Sequence, residues 1–239
     1  PDNPDGTMND GTQYQGGNRL FEFNEEGYNN LISKFDSNDP LVPTGNTGVS
    51  STLFSNRPNL GSWQDFGDIY LDFSEMGSNS KNVDNYERSL DIKNAISEVI
   101  YDYNETTYLR EHFVSYPDNV LVTRLSKDGD GKLDFDVELK KSSALSSNDA
   151  TTSIDDNNTT IKLIGTLNGN KMKYSASLKV IVDGKESTVE PNGNSTIKVR
   201  NADEVVLIFS TGTDYKNIYP GYRTGETSEE VTNRVNKVI

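Results

Sequence analysis

The chain of 239 residues has no cysteine, one histidine and one tryptophan. Without cysteine it forms no disulfide bonds and no thiolate metal sites. Because His112 is the single imidazole, the sequence argues against a Ser-His-Asp triad and against a metal centre built from several histidines. These absences remove the commonest active-site chemistries, and composition alone assigns no function.

Positive charge is scarce relative to negative charge, with 23 basic and 37 acidic side chains and a formal net charge of −14. A field of this sign repels phosphate, so neither nucleic acid nor an anionic membrane surface is expected as a partner. No apolar run approaches the roughly 18 residues that a membrane helix needs, and no membrane span is expected. Hydrophobic residues make up 32% of the chain, which favours a modest core in one domain or at most two.

An initiator methionine and a signal peptide are both missing from the start of the sequence, which opens Pro1-Asp2-Asn3-Pro4. We therefore expect an excerpt of a longer protein. Residues 1–62 are predicted to form a loop, a short helix and a connecting loop that join the following domain. The helix is predicted from apolar residues at positions i, i+3, i+4 and i+7, namely Tyr28, Leu31, Ile32 and Phe35.

Residues 63–226 are predicted to form a mainly β domain because the apolar period changes from 3.6 to 2 near Trp63. In the segment GDIYLDF, Ile69 and Leu71 share one face while Asp68 and Tyr70 share the other. The segment VLVTRLSKDGDGKLDFDVEL is predicted to be a hairpin that turns at Asp-Gly-Asp-Gly, and MKYSASLKVIV shows the cleanest alternation. About eight to ten such strands favour an antiparallel β-sandwich with wet outer faces and one or two short peripheral helices.

The last residues, 227–239, are predicted to begin a helix. Val231, Val235 and Val238 fall on one side, Thr227 or Ser228 is a candidate cap, and the segment is rich in acidic residues at its start. A helix in this position suggests a linker into a further domain.

Three segments resemble the N-terminal domain of glycoside hydrolase family 95, a family that includes bacterial α-L-fucosidases. They are the Gly-Asp-hydrophobic-Tyr-Leu-Asp-Phe strand at residues 67–73, the Tyr-x-Arg-x-Leu-Asp segment at 86–91, and the Arg-Glu-x-Phe-x-Ser-x-Pro-Asp run that extends through residues 110–125. The loop at 14–18 and the segments at 201–203 and 205–211 are similar to further parts of that domain.

The resemblance implies a supersandwich-like β-sandwich that precedes an (α/α)6 catalytic barrel. Such enzymes are inverting α-L-fucosidases that act on α-1,2-linked fucose, with some α-L-galactosidase activity. Inversion needs a general acid and a separately activated water. The family's catalytic residues lie in the barrel, so none is assigned to this chain and no cofactor is implied. The expected partners are the enzyme's own barrel and, through it, a fucosylated glycan, in an extracellular or cell-surface setting.

One departure from the family concerns its opening strands. Family members begin with a Gly-Asn-Gly-Arg-Leu-Gly-like hairpin and an Asn-Glu-Asp-x-Leu-Trp-x-Gly-Gly segment, and neither occurs here. We therefore expect a sandwich without its first strands, in which neighbouring sheet edges are exposed.

Aromatic residues provide the candidates for sugar binding. Trp63 and Tyr70, with Tyr101, Tyr103 and Tyr108, could offer ring faces to a pyranose. Such rings also commonly fill sandwich cores. Trp63, Tyr70 and His112 are the candidate substrate-binding residues, although packing is the expected role of His112. A stand-alone carbohydrate-binding module or a surface adhesion sandwich is the alternative function.

A calcium-like pattern occurs at Asp128, Asp130 and Asp134. A calcium loop of the EF-hand type needs glutamate at its twelfth position and flanking helices, whereas Leu139 stands there between predicted strands. A plain turn is expected and no metal is assigned. The acidic pairs at 134/136, 155/156 and 229/230 are expected to be solvated and not catalytic.

Overall fold

The computed structural model describes Glu25, Asn29 and residues 66–77, 82–142, 150–167, 171–216 and 223–239. The chain divides into two compact units. One comprises Pro1–Gln64, Leu167–Met172 and Tyr215–Thr224, and the other comprises Asp65–Thr166, Lys173–Asp214 and Gly225–Ile239. In the first unit Tyr215 forms an antiparallel bridge with Arg223. The predicted helix at residues 28–35 and Trp63 lie outside the described residues.

The described part of the second unit contains twelve β-strands and one α-helix. The strands are β1 (Gly67–Asp72), β2 (Asp84–Asp91), β3 (Ile96–Tyr103), β4 (Thr106–Ser115), β5 (Val120–Asp128), β6 (Leu133–Lys141), β7 (Ala150–Ile154), β8 (Thr160–Thr166), β9 (Lys173–Asp183), β10 (Thr188–Asn192), β11 (Thr196–Ala202) and β12 (Glu204–Thr213). A 3-10 turn, Ser74–Met76, follows β1, and helix α1 spans Ser228–Asn236.

The strands form two antiparallel sheets. The smaller sheet has the order β1-β6-β11-β10, and the larger has the order β2-β3-β4-β5-β12-β9-β8-β7. The prediction of a mainly β, antiparallel sandwich is confirmed, with twelve described strands where eight to ten were expected. The hairpin between β3 and β4 turns at Asn104 and Glu105, which both adopt the left-handed conformation that a tight two-residue turn requires.

The core lies between the inner faces of the two sheets. From the smaller sheet, β6 contributes Leu133, Phe135, Val137 and Leu139, each 2% exposed or less. The larger sheet supplies the facing apolar residues, among them Leu125, Ile161, Leu163, Leu178, Val180, Val205 and Leu207. Removing each such side chain from water contributes about 1.5–3 kcal/mol, so the alternating strands of the sequence are what hold the sheets together.

The predicted hairpin between β5 and β6 is wrong. β5 pairs with β4 and β12, whereas β6 pairs with β1 and β11 in the other sheet. The Asp-Gly-Asp-Gly segment therefore carries the chain from one sheet across to the other. Gly131 makes this crossing possible, because a Cβ at that position would lie 2.4 Å from the Tyr108 hydroxyl, and its backbone N–H donates to Thr106 Oγ1 at 2.9 Å.

Helix α1 confirms the prediction for the C-terminal residues. Thr227 and Glu230 form a reciprocal capping box, which satisfies backbone N–H groups at the helix start. Val231 and Val235 are buried, whereas Val238 lies beyond the helix end and is 43% exposed. The prediction that Val238 shares one side of the helix with Val231 and Val235 is therefore wrong, since the helix ends at Asn236.

The helix packs on the outer face of the larger sheet over small residues of β9 and β12. Gly212 is paired with Ser175, and Ser210 with Ser177. Ser177 Oγ donates to Asn236 Oδ1 at the end of the helix. Small side chains allow the helix backbone to approach, so both faces of β9 are buried at this point and not only the predicted one.

The larger sheet extends beyond the smaller one at its β2 end. Every residue of β2 is exposed. On the face that continues the inner face of the sheet, Tyr86, Leu90 and Val114 are 55%, 66% and 72% exposed. We call this uncovered part of β2, β3 and β4, on the inner side, the wing face. Among the described residues no helix is long and apolar enough to cross a membrane.

Candidate functional site

His112 lies on the inner face of β4, directly between Ser97 of β3 and Thr123 of β5. Its Nδ1 atom is 2.8 Å from Thr123 Oγ1. The two residues meet because the antiparallel register sets them opposite each other on one face of the sheet. This hydrogen bond fixes the imidazole ring against the adjacent strand.

A cavity of about 170 Å³ lies between the sheets at His112. Its lining is Ile69 and Leu71 from β1, together with His112, Leu121, Thr123, Leu178, Leu207 and Phe209 from the larger sheet. These described lining residues are apolar except for His112 and Thr123, and none of them is a carboxylate. Glycoside hydrolysis by inversion uses two carboxyl groups, so this cavity offers packing space and not hydrolytic chemistry.

Burial lowers the pKa of His112 below its ordinary value, and the nearby Arg110 guanidinium lowers that pKa further. Both effects penalise the charged imidazolium, the first by desolvation and the second by repulsion. His112 is therefore a neutral imidazole at pH 7, held by Thr123 and surrounded by apolar residues.

Arg110 lies two residues before His112 on the same face of β4. Its Cζ atom is 4.9 Å from the centre of the Phe73 ring, which follows β1. The Nε atom is buried and donates no hydrogen bond. Desolvation lowers the pKa of Arg110 below its ordinary value. The ion pairs between described residues do not include Arg110. The guanidinium lies over the Phe73 ring, and the Tyr101 and Tyr86 side chains are close enough to interact with it electrostatically.

The tyrosines proposed as a sugar platform do not form one surface. Tyr101 and Tyr108 stack on each other at a centroid distance of 5.4 Å, and both are buried. Tyr70 lies on the outer face of β1, 49% exposed, with Lys140 Nζ 5.3 Å from its ring centre. Since Ile69 and Leu71 on either side point into the His112 cavity, Tyr70 and His112 lie on opposite sides of the smaller sheet.

The calcium-like segment is organised by lysines. Lys127 Nζ donates to the carbonyl oxygen of Gly129 at 2.8 Å. Lys127 and Lys132 both pair with Asp203, at 3.0 Å and 2.6 Å, and these contacts hold the pKa of Asp203 below its ordinary value. Asp134 accepts the backbone N–H of Asn201 at 2.7 Å. Within the described ranges no group of three or more acidic or histidine side chains is arranged for a metal ion.

Three further acidic side chains from the pairs named above have structural partners. Asp136 pairs with Arg200 at 2.7 Å. Asp155 Oδ1 accepts the backbone N–H groups of Thr159 and Thr160 in the turn before β8. Glu230 caps helix α1. These contacts show carboxylates that support turns, sheets and the helix.

A polar groove of about 390 Å³ lies at one end of the smaller sheet. Its polar lining includes Glu138, Lys140, Lys141, Asn194 and Ser195. None of its described lining residues is aromatic, so these residues offer no ring face on which a pyranose could stack.

Comparison with known proteins identifies the kind of domain. Residues 39–218 match the sequence profile of the glycosyl hydrolase family 65 N-terminal domain. The chain belongs to this family. The resemblance seen in the sequence is thus shown at the level of a glycoside hydrolase N-terminal domain.

One curated protein and one solved structure show similarity to this family 65 N-terminal domain. Probable alpha-fucosidase A of Aspergillus niger (strain ATCC MYA-4892 / CBS 513.88 / FGSC A1513) is 33% identical over 173 residues, which cover 71% of this chain and 21% of the relative. A solved structure, a putative kojibiose phosphorylase from human microbiome, aligns with a TM-score of 0.45 and 11% identity, covering 65% of this chain and 22% of that one. The chain spans about a fifth of the length of the curated relative.

Sequence reasoning placed Arg110 and His112 on one strand but did not find the contacts that define their surroundings. Phe73 and Thr123 are separated from them by 37 and 11 positions. Strand pairing brings Thr123 to His112, whereas Phe73 reaches Arg110 because the two sheets pack face to face. The usable signal was the i, i+2 spacing of two basic side chains on an otherwise apolar face.

Proposed function

We propose that this domain is the non-catalytic N-terminal β-sandwich of an inverting α-L-fucosidase of glycoside hydrolase family 95. In this proposal it buttresses an (α/α)6 catalytic barrel, and the whole enzyme removes α-1,2-linked fucose from glycans. The observation on which the proposal rests is the 33% identity to a probable alpha-fucosidase over most of this chain.

The contacts of the acidic side chains favour a structural role for this domain over a catalytic one. Asp134, Asp136, Asp155 and Glu230 are all hydrogen-bonded to partners that hold the fold together. An inverting glycosidase needs two carboxyl groups about 6.5–9.5 Å apart with room for water and a sugar ring between them. The His112 cavity is lined by apolar residues and is too small for such a ring with its water.

The remaining elements of the proposal follow from the type of substrate. A host-glycan fucosidase acts outside the cell or at its surface, and the acidic composition suits such a setting. We take residues 63–226 as the sandwich and 227–239 as the start of a helical linker. A bacterial origin belongs to the same proposal, although the named curated relative is fungal.

The isolated 239-residue chain tests the proposal. With 2′-fucosyllactose as the probe, we expect no fucose release and no heat of binding in titration calorimetry. Fucose release by this chain alone would contradict a non-catalytic role. Saturable binding that Tyr70→Ala or Trp63→Ala abolishes would instead identify a carbohydrate-binding module.

A further inference from the structure

Arg110 carries a positive charge that no carboxylate of a described residue neutralises in an ion pair. Its Nε atom is buried and donates no hydrogen bond, and its guanidinium lies over the Phe73 ring with Tyr86 and Tyr101 nearby. Burying a charge costs free energy unless an opposite charge or hydrogen-bond acceptors compensate for it. The partial burial of Arg110 therefore costs the isolated domain free energy, and a carboxylate paired with the guanidinium would remove that cost.

The surroundings of Arg110 are also incomplete. Arg110, His112 and Val114 follow one another along the same face of β4, and Val114 is 72% exposed. On β2, at the edge of this wing face, Tyr86 and Leu90 are more than half exposed. β1 lies over β4 and β5 at the His112 cavity, and among the described residues it is paired on one side alone, with β6. The uncovered surface thus begins where the smaller sheet ends.

We propose that the wing face is the surface on which the catalytic domain of the same polypeptide docks, and that this domain places a carboxylate side chain against the Arg110 guanidinium. The inference rests on the proposed function, since it assigns the surface by which the sandwich buttresses its barrel. A planar guanidinium accepts a carboxylate in a two-pronged arrangement. Tyr86, Leu90 and Val114 form the apolar rim that keeps water from the pair.

Charge complementarity selects this occupant. The chain has a net charge of −14, yet the charged side chains that the strand register places on this face are basic, since Arg88 is paired with Val99 and Val99 with Arg110. A segment with an acidic side chain between apolar residues matches this pattern, whereas a second basic surface does not. The aligned region covers 21% of the related alpha-fucosidase. The rest of such a polypeptide is long enough to supply an acidic side chain between apolar residues.

The opposite face of the larger sheet provides matched controls. There Arg124 is already paired, with Glu111 and Glu204 at 2.9 Å and 2.5 Å. Ile181 is 44% exposed on that face. Arg124→Met and Ile181→Lys are therefore counterparts of Arg110→Met and Val114→Lys that leave the wing face unchanged.

The test compares each variant in two forms, the 239-residue chain and the full-length polypeptide that contains it. In the short chain we expect Arg110→Met to leave the unfolding temperature unchanged or to raise it, because it removes an uncompensated buried charge and keeps the packing on Phe73. In the full-length polypeptide the same variant should open the domain contact and accelerate limited proteolysis by on the order of 10-fold or more. Arg110→Lys should accelerate proteolysis less than Arg110→Met does, because lysine keeps the positive charge but cannot make the two-pronged contact with a carboxylate.

Val114→Lys tests the same surface without touching the guanidinium. We expect it to leave the short chain unaffected and to accelerate proteolysis of the full-length form, while Ile181→Lys and Arg124→Met affect both forms equally.

An equal loss of stability in both forms on Arg110→Met would overturn the proposal, and so would unchanged proteolysis for both Arg110→Met and Val114→Lys. If sedimentation showed that the short chain forms a dimer and that the wing-face variants abolish it, the wing face would bind a second copy of the chain and not the catalytic domain. Fucose release by the full-length form is measured separately, so its absence would refute the proposed function and not the docking surface.

Discussion

The Nδ1 atom of His112 and the Oγ1 atom of Thr123 lie 2.8 Å apart across two neighbouring strands. This contact holds the single histidine of the chain in an apolar cavity between the sheets. Its titration therefore reports directly on the packing of the sandwich.

We predict that His112 titrates with a midpoint below about 6.5, the ordinary value for histidine, because burial and Arg110 both lower its pKa. A base whose pKa is lower in the folded state than in the unfolded state binds fewer protons when folded. The free energy of unfolding should therefore have its full value above about pH 6.5. It should fall as the pH decreases from there towards the lower pKa of the folded state. Proton NMR of the imidazole measures the midpoint without ambiguity, since there is one histidine.

The matched variant for this prediction is His112→Gln, which removes the titrating group. Between about pH 7.5 and pH 5.5 its free energy of unfolding should change less steeply than that of the unmodified chain. A midpoint at or above the ordinary histidine value would show that the cavity is open to water.

Gly212→Ala should weaken the packing of helix α1 on the larger sheet. The new Cβ would lie 2.9 Å from Val235 Cγ2 and 3.0 Å from Arg234 Nη1. Val235 is buried, at 2% exposed, so we expect a loss of about 1–3 kcal/mol in the free energy of unfolding, as for other overpacked sites. Urea denaturation measures it. In the double variant Gly212→Ala/Val235→Ala the clash is relieved, and the loss should be smaller than the sum of the two single losses.

Thr227→Ala should destabilise the same helix by a different route. The Thr227 hydroxyl accepts the backbone N–H of Glu230, and the Glu230 carboxylate accepts the backbone N–H of Thr227. Losing a capping side chain costs about 1 kcal/mol. Thr227→Ser keeps the hydroxyl and should retain most of the stability, so equal losses for alanine and serine would show that the cap is not the cause.

Calcium should not bind at the turn between β5 and β6. Lys127 donates to the carbonyl oxygen of Gly129, and Lys132 and Lys127 hold Asp203 nearby, so two ammonium groups stand where a cation would need its ligands. Millimolar calcium is expected to leave the unfolding temperature unchanged. A rise that Asp130→Asn removes, while Asp156→Asn does not, would demonstrate a site.

The sequence was sufficient for features that depend on local periodicity. The alternation in β1 and β9 predicted which residues face the core, and Thr227 with Glu230 predicted the helix start. It was insufficient for β5 and β6, because alternation shows that a strand has one apolar face without showing which sheet it joins. The burial of Ser175 and Ser177 followed from a helix more than 50 positions away. Arg110 met Phe73 through the packing of one sheet on the other, which no local pattern encodes.

The central claim is that this family 65 N-terminal domain supports a fucosidase barrel without taking part in its chemistry. The most direct measurement is the release of fucose from 2′-fucosyllactose by the full-length polypeptide and by the 239-residue chain, followed by NMR so that the anomer of the first product is seen. We predict release by the full-length polypeptide with inversion, giving β-L-fucose first, and none by the short chain. Turnover by the short chain, or a full-length polypeptide that is inactive on fucosides, would contradict the account.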